Sequence, residues 1–544
     1  MLNFLLVVLA ALTISMAVIP LMMRLAPRLG MVDLPDPRKV HTAPIPRVGG
    51  LGIIVGALAS LALWSPIGAV TATYVFGSLV LLVFGALDDS HELGHYVKFI
   101  GQFIAAIAVV YFGGLWVSSM PFGYVLPEQI GKPFTVVAIV GMINAINHSD
   151  GLDGLAAGES LLSLGCLVYL AQLANNFFVL ILAIAVIGGV FGFLRFNTHP
   201  AKVFMGDAGS QFIGFSLGVL TVALTQGEHP GFSMALPALI LGLPVIDIIA
   251  VFVLRMYHGM NWFRATKNHV HHRLLGIGYD HYQAVVIIYS IQAFLVAGAL
   301  SLKFSSDWAI LGLYAAVCGT LFVVLLRAER TGWKANEPNQ ASKLATFIQV
   351  LKSRHVLDRW PMLFVNIAIP TYFVASALCV SRVTPDFAFT AILIVVLLLF
   401  AYLLRKTYLS SYLARVAVYA LAASLVYLVE TRSDGLAGDY GALRIGFFVL
   451  LAAATGLAVR YMRDIEFDTT PTDYLLIFLV VAASIFAQEA LQIPYLGGLV
   501  AATAILFYGC ELILTRQRRV WSTLLNTAAI ASATLLLITW AGFL

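Results

Sequence analysis

Residues 132–173 read KPFTVVAIVGMINAINHSDGLDGLAAGESLLSLGCLVYLAQL. Two apolar runs, 132–147 and 155–173, bracket a short loop carrying Asn147, His148, Asp150 and Asp153 among glycines. A helix needs about 17–25 residues to cross the hydrocarbon core of a bilayer. A charged side chain at its centre costs about 2.5–3.5 kcal/mol on insertion scales. Two spanning helices joined by an acidic turn meet both conditions, because the acids then sit at helix ends. The pattern recurs at Asp88-Asp89, at Phe204-Met205-Gly206-Asp207-Ala208-Gly209-Ser210 and at His269-Val270-His271-His272.

The rest of the chain agrees. Of 544 residues, 60% are hydrophobic and 11% charged, with a mean hydropathy of +0.93. This excludes an ordinary soluble domain and predicts an all-α polytopic membrane protein. The long continuous apolar runs argue against a β-barrel, whose strands alternate. A net charge of +5 follows from loop bias and gives no reason to expect a nucleic-acid partner. Cys166, Cys318, Cys379 and Cys510 are scattered through apolar runs, which suggests neither a disulfide framework nor a thiolate metal site. Residues 1–23 lack an early Lys or Arg and read as a retained first span.

The expected spans are 2–23, 48–65, 69–87, 98–115, 132–147, 155–173, 177–194, 209–225, 233–256, 281–302 and 308–326, then 361–381, 387–404, 411–430, 443–459, 474–488, 493–514 and 520–541. That is about 18 transmembrane helices, about 11 before the polar stretch 327–360 and about 7 after it. Residues 327–360 are the best internal boundary, a cytoplasmic linker between a motif-bearing part, 1–326, and a motif-poor part, 361–544. Basic loops set the orientation. Those after the first, ninth, eleventh and seventeenth spans share one side, whereas only Lys132, Lys303, Arg382, Arg432 and Arg444 fall on the other. Both termini are therefore expected outside and all four polar clusters in the cytoplasm.

Each cluster has a chemical and a plain reading. Adjacent carboxylates at Asp88-Asp89, with Glu92 close behind, suit Mg²⁺ or a base beside a metal; a solvated loop is the alternative. In 147–154 the glycines let backbone approach a ligand, against a merely polar turn. Asp207 opens a helix and could be only its cap, and Phe204 could stack on a base or anchor the helix. His269, His271 and His272 beside Arg264, Lys267 and Arg273 suit phosphate better than zinc, with a simple basic loop as the alternative. Asp247 lies inside an apolar run, functional by default or a partner for a base such as Arg255. Together the clusters describe a cytoplasm-facing cavity suited to Mg²⁺ and a polyphosphate, with a lipid co-substrate at hand. A secondary transporter is the reading from another class. It fits less well, because the acids lie at the ends of spans and no inverted repeat is visible.

Taken in order, Arg38-Lys39-Val40-His41 with Pro46-Arg47-Val48-Gly49-Gly50, the paired acids, Asn147-x-x-Asp150-Gly151-x-Asp153-Gly154, Phe204-Met205-Gly206-Asp207 and His269-x-His271-His272 resemble the polyprenyl-phosphate N-acetylhexosamine-1-phosphate transferases. The resemblance covers residues 1–326, about three-fifths of the chain, and its eleven spans are similar to the undecaprenyl-phosphate N-acetylglucosamine-1-phosphate branch. It implies transfer of N-acetylhexosamine 1-phosphate from a UDP-N-acetylhexosamine to undecaprenyl phosphate, releasing UMP and initiating a lipid-linked cell-surface glycan at the bacterial inner membrane. It implies Asp88 to orient or deprotonate the lipid phosphate, and Asp207 to bind Mg²⁺ (Mn²⁺ as substitute) with Asp89 nearby. Lys39 and Lys98 would contact phosphates. Asn147, Asp150, Asp153 and Asn197 would line the nucleotide pocket, with Phe204 stacked on uracil. His269, His271 and His272 would hold the diphosphate or sugar, His271 among the catalytic groups. Val270 interrupts the three consecutive histidines typical of peptidoglycan-precursor relatives, which argues for a donor without a peptide. Glu92 stands where the family often has Asp. N-acetylglucosamine is the expected sugar, and a homodimer the expected assembly if the chain oligomerises. Residues 361–544 lie outside the resemblance, and their acidic loop (Asp464, Glu466, Asp468, Asp473) reads as a solvated face.

Overall fold

A computed structural model describes residues 2–35, 43–66, 68–227, 231–257, 259, 268–335, 359–404, 408–432, 439–461, 475, 496–515 and 519–542. They form two compact units, one of 1–337 with 470–479 and the other of 338–469 with 480–544.

The first unit contains α1 (Leu2–Leu29), a two-strand ribbon of β1 (Val32–Asp33) and β2 (Ile45–Pro46), α2 (Gly49–Trp64), α3 (Ala69–His91), α4 (His95–Ile107), α5 (Glu128–Ser149), α6 (Leu155–Leu173), α7 (Phe177–Asn197) and α8 (Gly206–Gln226). After these come α9 (Leu236–Ile240), α10 (Gly242–Tyr257), α11 (Val270–Gly276), α12 (His281–Ser301) and α13 (Asp307–Thr331). Among the described residues of the whole chain, fourteen helices are long and apolar enough to cross a membrane, and Gly49–Trp64 and Leu443–Val459 are shorter apolar helices. The all-α polytopic class holds. The expected span 474–488 lies almost wholly outside the described residues.

Helix α8 is the hub. Every residue from Ala208 to Thr225 is buried, and α2, α3, α5, α6 and α7 all pack on it. Small residues allow this close approach, as at membrane helix interfaces generally. A Cβ on Gly50 would overlap Gly209, and one on Gly85 would overlap Ala208. The Gly85 contact brings the end of α3, where Asp88 and Asp89 sit, against the start of α8.

The expected span 233–256 is broken between α9 and α10. Pro244, in the first turn of α10, has no amide to donate and favours a helix start there. Gln292 of α12, fully buried, repairs the break. Its Nε2 donates to Ile240 O at 3.0 Å and its Oε1 accepts the Leu243 amide at 3.1 Å. Away from water such groups need a protein partner.

The second unit comprises α14 (Arg359–Cys379), α15 (Pro385–Leu403), α16 (Tyr408–Arg432), α17 (Asp439–Tyr461), α18 (Leu496–Thr515) and α19 (Arg519–Trp540). Val365, Ile369, Phe373, Leu421, Leu425 and Leu506 are in its core. Its described residues include the ion pairs Arg415–Glu511 and Arg444–Glu430, each at 2.9 Å.

Candidate active site

Helix α3 ends where Glu92 adopts a left-handed conformation, φ 50°, and its amide closes on Asp88 O. Gly94 then starts α4, so the chain doubles back and carries Lys98 to the end of α3. Lys98 Nζ lies 2.6 Å from Asp88 Oδ2 and 2.6 Å from Asp207 Oδ2. One ammonium thus bridges carboxylates from α3 and α8. Asp207 also accepts from Asn147 Nδ2 at 3.2 Å and from Gln211 Nε2 at 3.3 Å. Asp88 Oδ1 is buried and has no hydrogen-bond partner among the described residues.

Asp89 has a different job. Its Oδ1 accepts the Asp207 amide at 2.9 Å and its Oδ2 the Ala208 amide at 3.3 Å. The N-terminus of α8 is therefore capped by a carboxylate from α3, while Asp207, the acid inside that first turn, points away to Lys98. Gly206 makes room for this. It has φ +72°, and a Cβ there would lie 2.5 Å from Asp89 Oδ2.

Beneath the cluster runs a row of amides that the motifs did not reveal. Gln102 Nε2 donates to Gln211 Oε1 at 3.3 Å, and Asn144 Nδ2 donates to Gln102 Oε1 at 2.7 Å. Each stands one helical turn from a motif residue: Gln102 from Lys98, Gln211 from Asp207, Asn144 from Asn147. That spacing is the signal that could have found them.

The glycine loop after α5 is held on two sides. Asn197 Oδ1 accepts the Gly154 amide at 2.8 Å, and Asn197 Nδ2 donates to Val203 O at 2.9 Å. Tyr289 Oη donates to Gly154 O at 2.6 Å. Gly158 has no room for a Cβ, which would overlap the Tyr289 hydroxyl. Asp153 Oδ2 meets His199 Nδ1 at 2.6 Å and the Ala201 amide at 3.1 Å. Phe204, half-buried, is fixed by its backbone: its amide donates to Pro46 O at 2.8 Å and its carbonyl accepts from Gly49 N at 3.0 Å. The Pro46–Gly50 motif is thus a docking strip for the 204–205 segment.

These segments enclose a cleft of about 1110 Å³. Asp88, Asp89, Lys98, Asn147, Asp150, Asp153, Asn197, Phe204, Asp207 and His272 all line it, as do Glu92, Arg47, His199 and His281. Asp150 sits deep enough that burial, reinforced by the charges of Asp207 and Asp153, raises its pKa to about 7. Lys39 lies outside the described residues.

Two expected site residues are not on the cleft wall. His269 and His271 are buried, 6% and 3% exposed. His269 Nδ1 pairs with Asp247 at 2.8 Å, and the Val270 amide donates to the same carboxylate at 2.8 Å. Asp247, whether functional or a partner for a base by its sequence, holds the start of α11. His271 packs behind the glycine loop, where a Cβ on Gly151 would overlap its Nε2. Burial, then His272, lowers its pKa to about 3, so it stays neutral. The neutral, buried imidazole packs against the loop and does not line the cleft. His272 alone of the three reaches the cleft.

Comparison with known proteins identifies the family. Residues 71–225, which span α3 to α8, match the family model described as glycosyl transferase family 4. A Bacillus subtilis (strain 168) protein named "Probable undecaprenyl-phosphate N-acetylglucosaminyl 1-phosphate transferase" is 37% identical over 321 residues, 58% of this chain and 88% of that protein. The decaprenyl-phosphate N-acetylglucosaminephosphotransferase of Mycobacterium tuberculosis (strain ATCC 25618 / H37Rv) is 33% identical over 310 residues, 51% of this chain and 77% of that protein. The undecaprenyl-phosphate alpha-N-acetylglucosaminyl 1-phosphate transferase of Escherichia coli (strain K12) is 29% identical over 302 residues, 54% of this chain and 82% of that protein. With a carboxylate pair bridged by lysine at the mouth of an apolar bundle, and relatives matched over most of their own length, this chain belongs to glycosyl transferase family 4.

Proposed function

We propose that this protein transfers N-acetylglucosamine 1-phosphate from UDP-N-acetylglucosamine to undecaprenyl phosphate and releases UMP. The observation that carries the reading is the Asp88–Lys98–Asp207 bridge, set in a cleft at the end of membrane-length helices. Such a cleft admits a polar donor from water and a phosphate on a lipid from the bilayer. The names of the relatives support the sugar and the polyprenyl acceptor. The basic loops support a cytoplasmic location for the cleft, in the inner membrane of a bacterium.

In the reaction an oxygen of the lipid phosphate attacks the sugar-bearing phosphorus of the donor. The bond to the bridging oxygen breaks, and UMP leaves with that oxygen. Positioning and charge neutralisation supply most of the catalysis in phosphoryl transfer. Asp88, with a buried oxygen free of partners, takes or orients the residual proton of the lipid phosphate. Lys98 neutralises phosphate charge between the two carboxylates. Asn147 and Gln211 hold Asp207 in place, and Phe204 offers an aromatic face to the base.

The carboxylates also fit a divalent cation. Asp88 keeps one oxygen unsatisfied, and Asp88 and Asp207 share a single ammonium, so negative charge is in surplus. Asp207 and Asp88 would hold Mg²⁺, or Mn²⁺ in its place. Asp89 serves from behind, because both its oxygens are committed to α8. When bound, the cation neutralises phosphate oxygens in flight.

The test is UMP release by purified protein with undecaprenyl phosphate, Mg²⁺ and a panel of UDP-sugars. Release should require lipid and metal and should be fastest with UDP-N-acetylglucosamine. Asp88→Asn and Asp207→Asn should each lose about 100-fold or more in kcat. Full activity in both variants would exclude the site.

A further inference from the structure

The cleft holds a second group of metal-ligand side chains, apart from the Lys98 cluster. Asp153, His199 and His281 each offer one donor atom, and the three atoms lie within 4.8 Å of one another. They come from the loop before α6, the segment after α7 and the first residue of α12. His199 Nδ1 is 2.6 Å from Asp153 Oδ2. The rings of His199 and His281 stack with centroids 4.2 Å apart, and Tyr282 meets His199 edge-on at 5.2 Å. The Ala201 amide donates to Asp153 at 3.1 Å. The ligand set is therefore oriented by its surroundings, as the ligands of working metal sites are.

We infer that Asp153, His199 and His281 form a second divalent-cation site, one that takes Zn²⁺ or a similar transition ion in preference to Mg²⁺. Imidazole suits zinc, whereas Mg²⁺ takes oxygen ligands. The ion replaces the proton now shared by His199 Nδ1 and Asp153 Oδ2. Ligands about 2.0–2.1 Å from a tetrahedral ion lie about 3.3 Å apart, so these two atoms separate by about 0.7 Å. Small side-chain rotations supply that, because all three residues are partly exposed. Three protein ligands leave the fourth position open. Since the residues line the cleft, a phosphate or carbonyl oxygen of a bound donor completes the coordination. That last role rests on the transferase reading; the ion site does not.

The experiment titrates the full chain, free of any histidine tag and stripped with chelator, with Zn²⁺ in an excess of Mg²⁺. Bound metal is counted by mass spectrometry after gel filtration. One zinc per chain is expected, retained in Asp207→Asn and His272→Gln. In His199→Gln and His281→Gln its Kd should weaken by more than the roughly 10–100-fold that loss of a supporting hydrogen bond costs. Zinc retained by both of these variants, or lost from His272→Gln instead, overturns the site. X-ray absorption on the zinc-loaded unmutated protein removes the dependence on folding of the variants: two imidazoles with oxygen are expected, and an all-oxygen shell overturns the assignment. Normal zinc binding without UMP release counts against the transferase reading alone. UMP release by a protein that binds no zinc in this titration counts against the second site alone.

Discussion

Asp88 and Asp89 are neighbours in the chain with separate tasks, and the separation can be measured. Asp89 spends both oxygens on amides of α8, so Asp89→Ala should cost the roughly 1 kcal/mol typical of a lost cap, up to about 2. Thermal unfolding in detergent reads that loss, while the Mg²⁺ concentration for half-maximal UMP release should stay near the unmutated value. Asp207→Asn should show the opposite: little change in unfolding and a higher Mg²⁺ concentration for half-maximal release of what UMP it still makes. Asp150 yields a pH test. Its pKa is about 7 when folded, against about 3.9 in an unfolded chain. Between those values the folded protein keeps a proton that the unfolded chain has lost, so stability is full below about 4 and falls as pH rises through 7. Unfolding temperatures of unmutated protein and Asp150→Asn, compared at pH 5 and pH 8, should show the steeper fall in the unmutated protein. The acids at 88, 89, 150, 153 and 207 were legible as a group because charge is rare in this sequence. Which one bridges, which caps and which is squeezed was not, since each role depends on atoms from another helix.

At the level of elements, positioning rests on a few close contacts. Gly206 combines a left-handed backbone with an Asp89 oxygen where its Cβ would stand. Gly206→Ala should therefore strain the first turn of α8 and move Asp207 off Lys98. UMP release should fall at least as far as in Asp207→Asn, with the protein still helical by circular dichroism. The α9–α10 break makes a different prediction. Gln292→Leu would leave Ile240 O with only the Ser163 hydroxyl and the Leu243 amide unpaired. A buried orphan costs about 1–3 kcal/mol, so the unfolding temperature should drop while the cleft residues keep their own bonds. Periodicity and length located most of these helices, α5 included, although its apolar run 132–147 falls just short of the roughly 17–25 residues a span needs. They could not locate the break in 233–256, because a proline near a helix start and a proline within a helix look alike in sequence. The buried histidines were misplaced for a related reason. A basic loop suggests exposure, and only the acid at Asp247, from a helix the loop packs against, pulls His269 inward.

Across the whole molecule the Asp88–Lys98–Asp207 cluster lies within the first unit, and the relatives match this chain over 51–58% of its length while being covered over 77–88% of their own. Residues 1–337, expressed alone, should bind UDP-N-acetylglucosamine and release UMP within about tenfold of the full chain's kcat. A truncated protein that folds yet is inert would assign residues beyond 337, the second unit or the 470–479 stretch of the first, a part in the chemistry. Composition and hydropathy alone determined that this is a many-helix membrane protein, because the cost of burying charge in lipid restricts where 11% charged residues can go. Motif order determined the family. Tertiary structure decided the rest: that Lys98 stands between two carboxylates, that Asp89 caps a helix it does not belong to, and that two of three loop histidines turn away from the cleft. Those outcomes arise where side chains from different helices meet within about 3 Å, a distance that spacing along one chain does not encode.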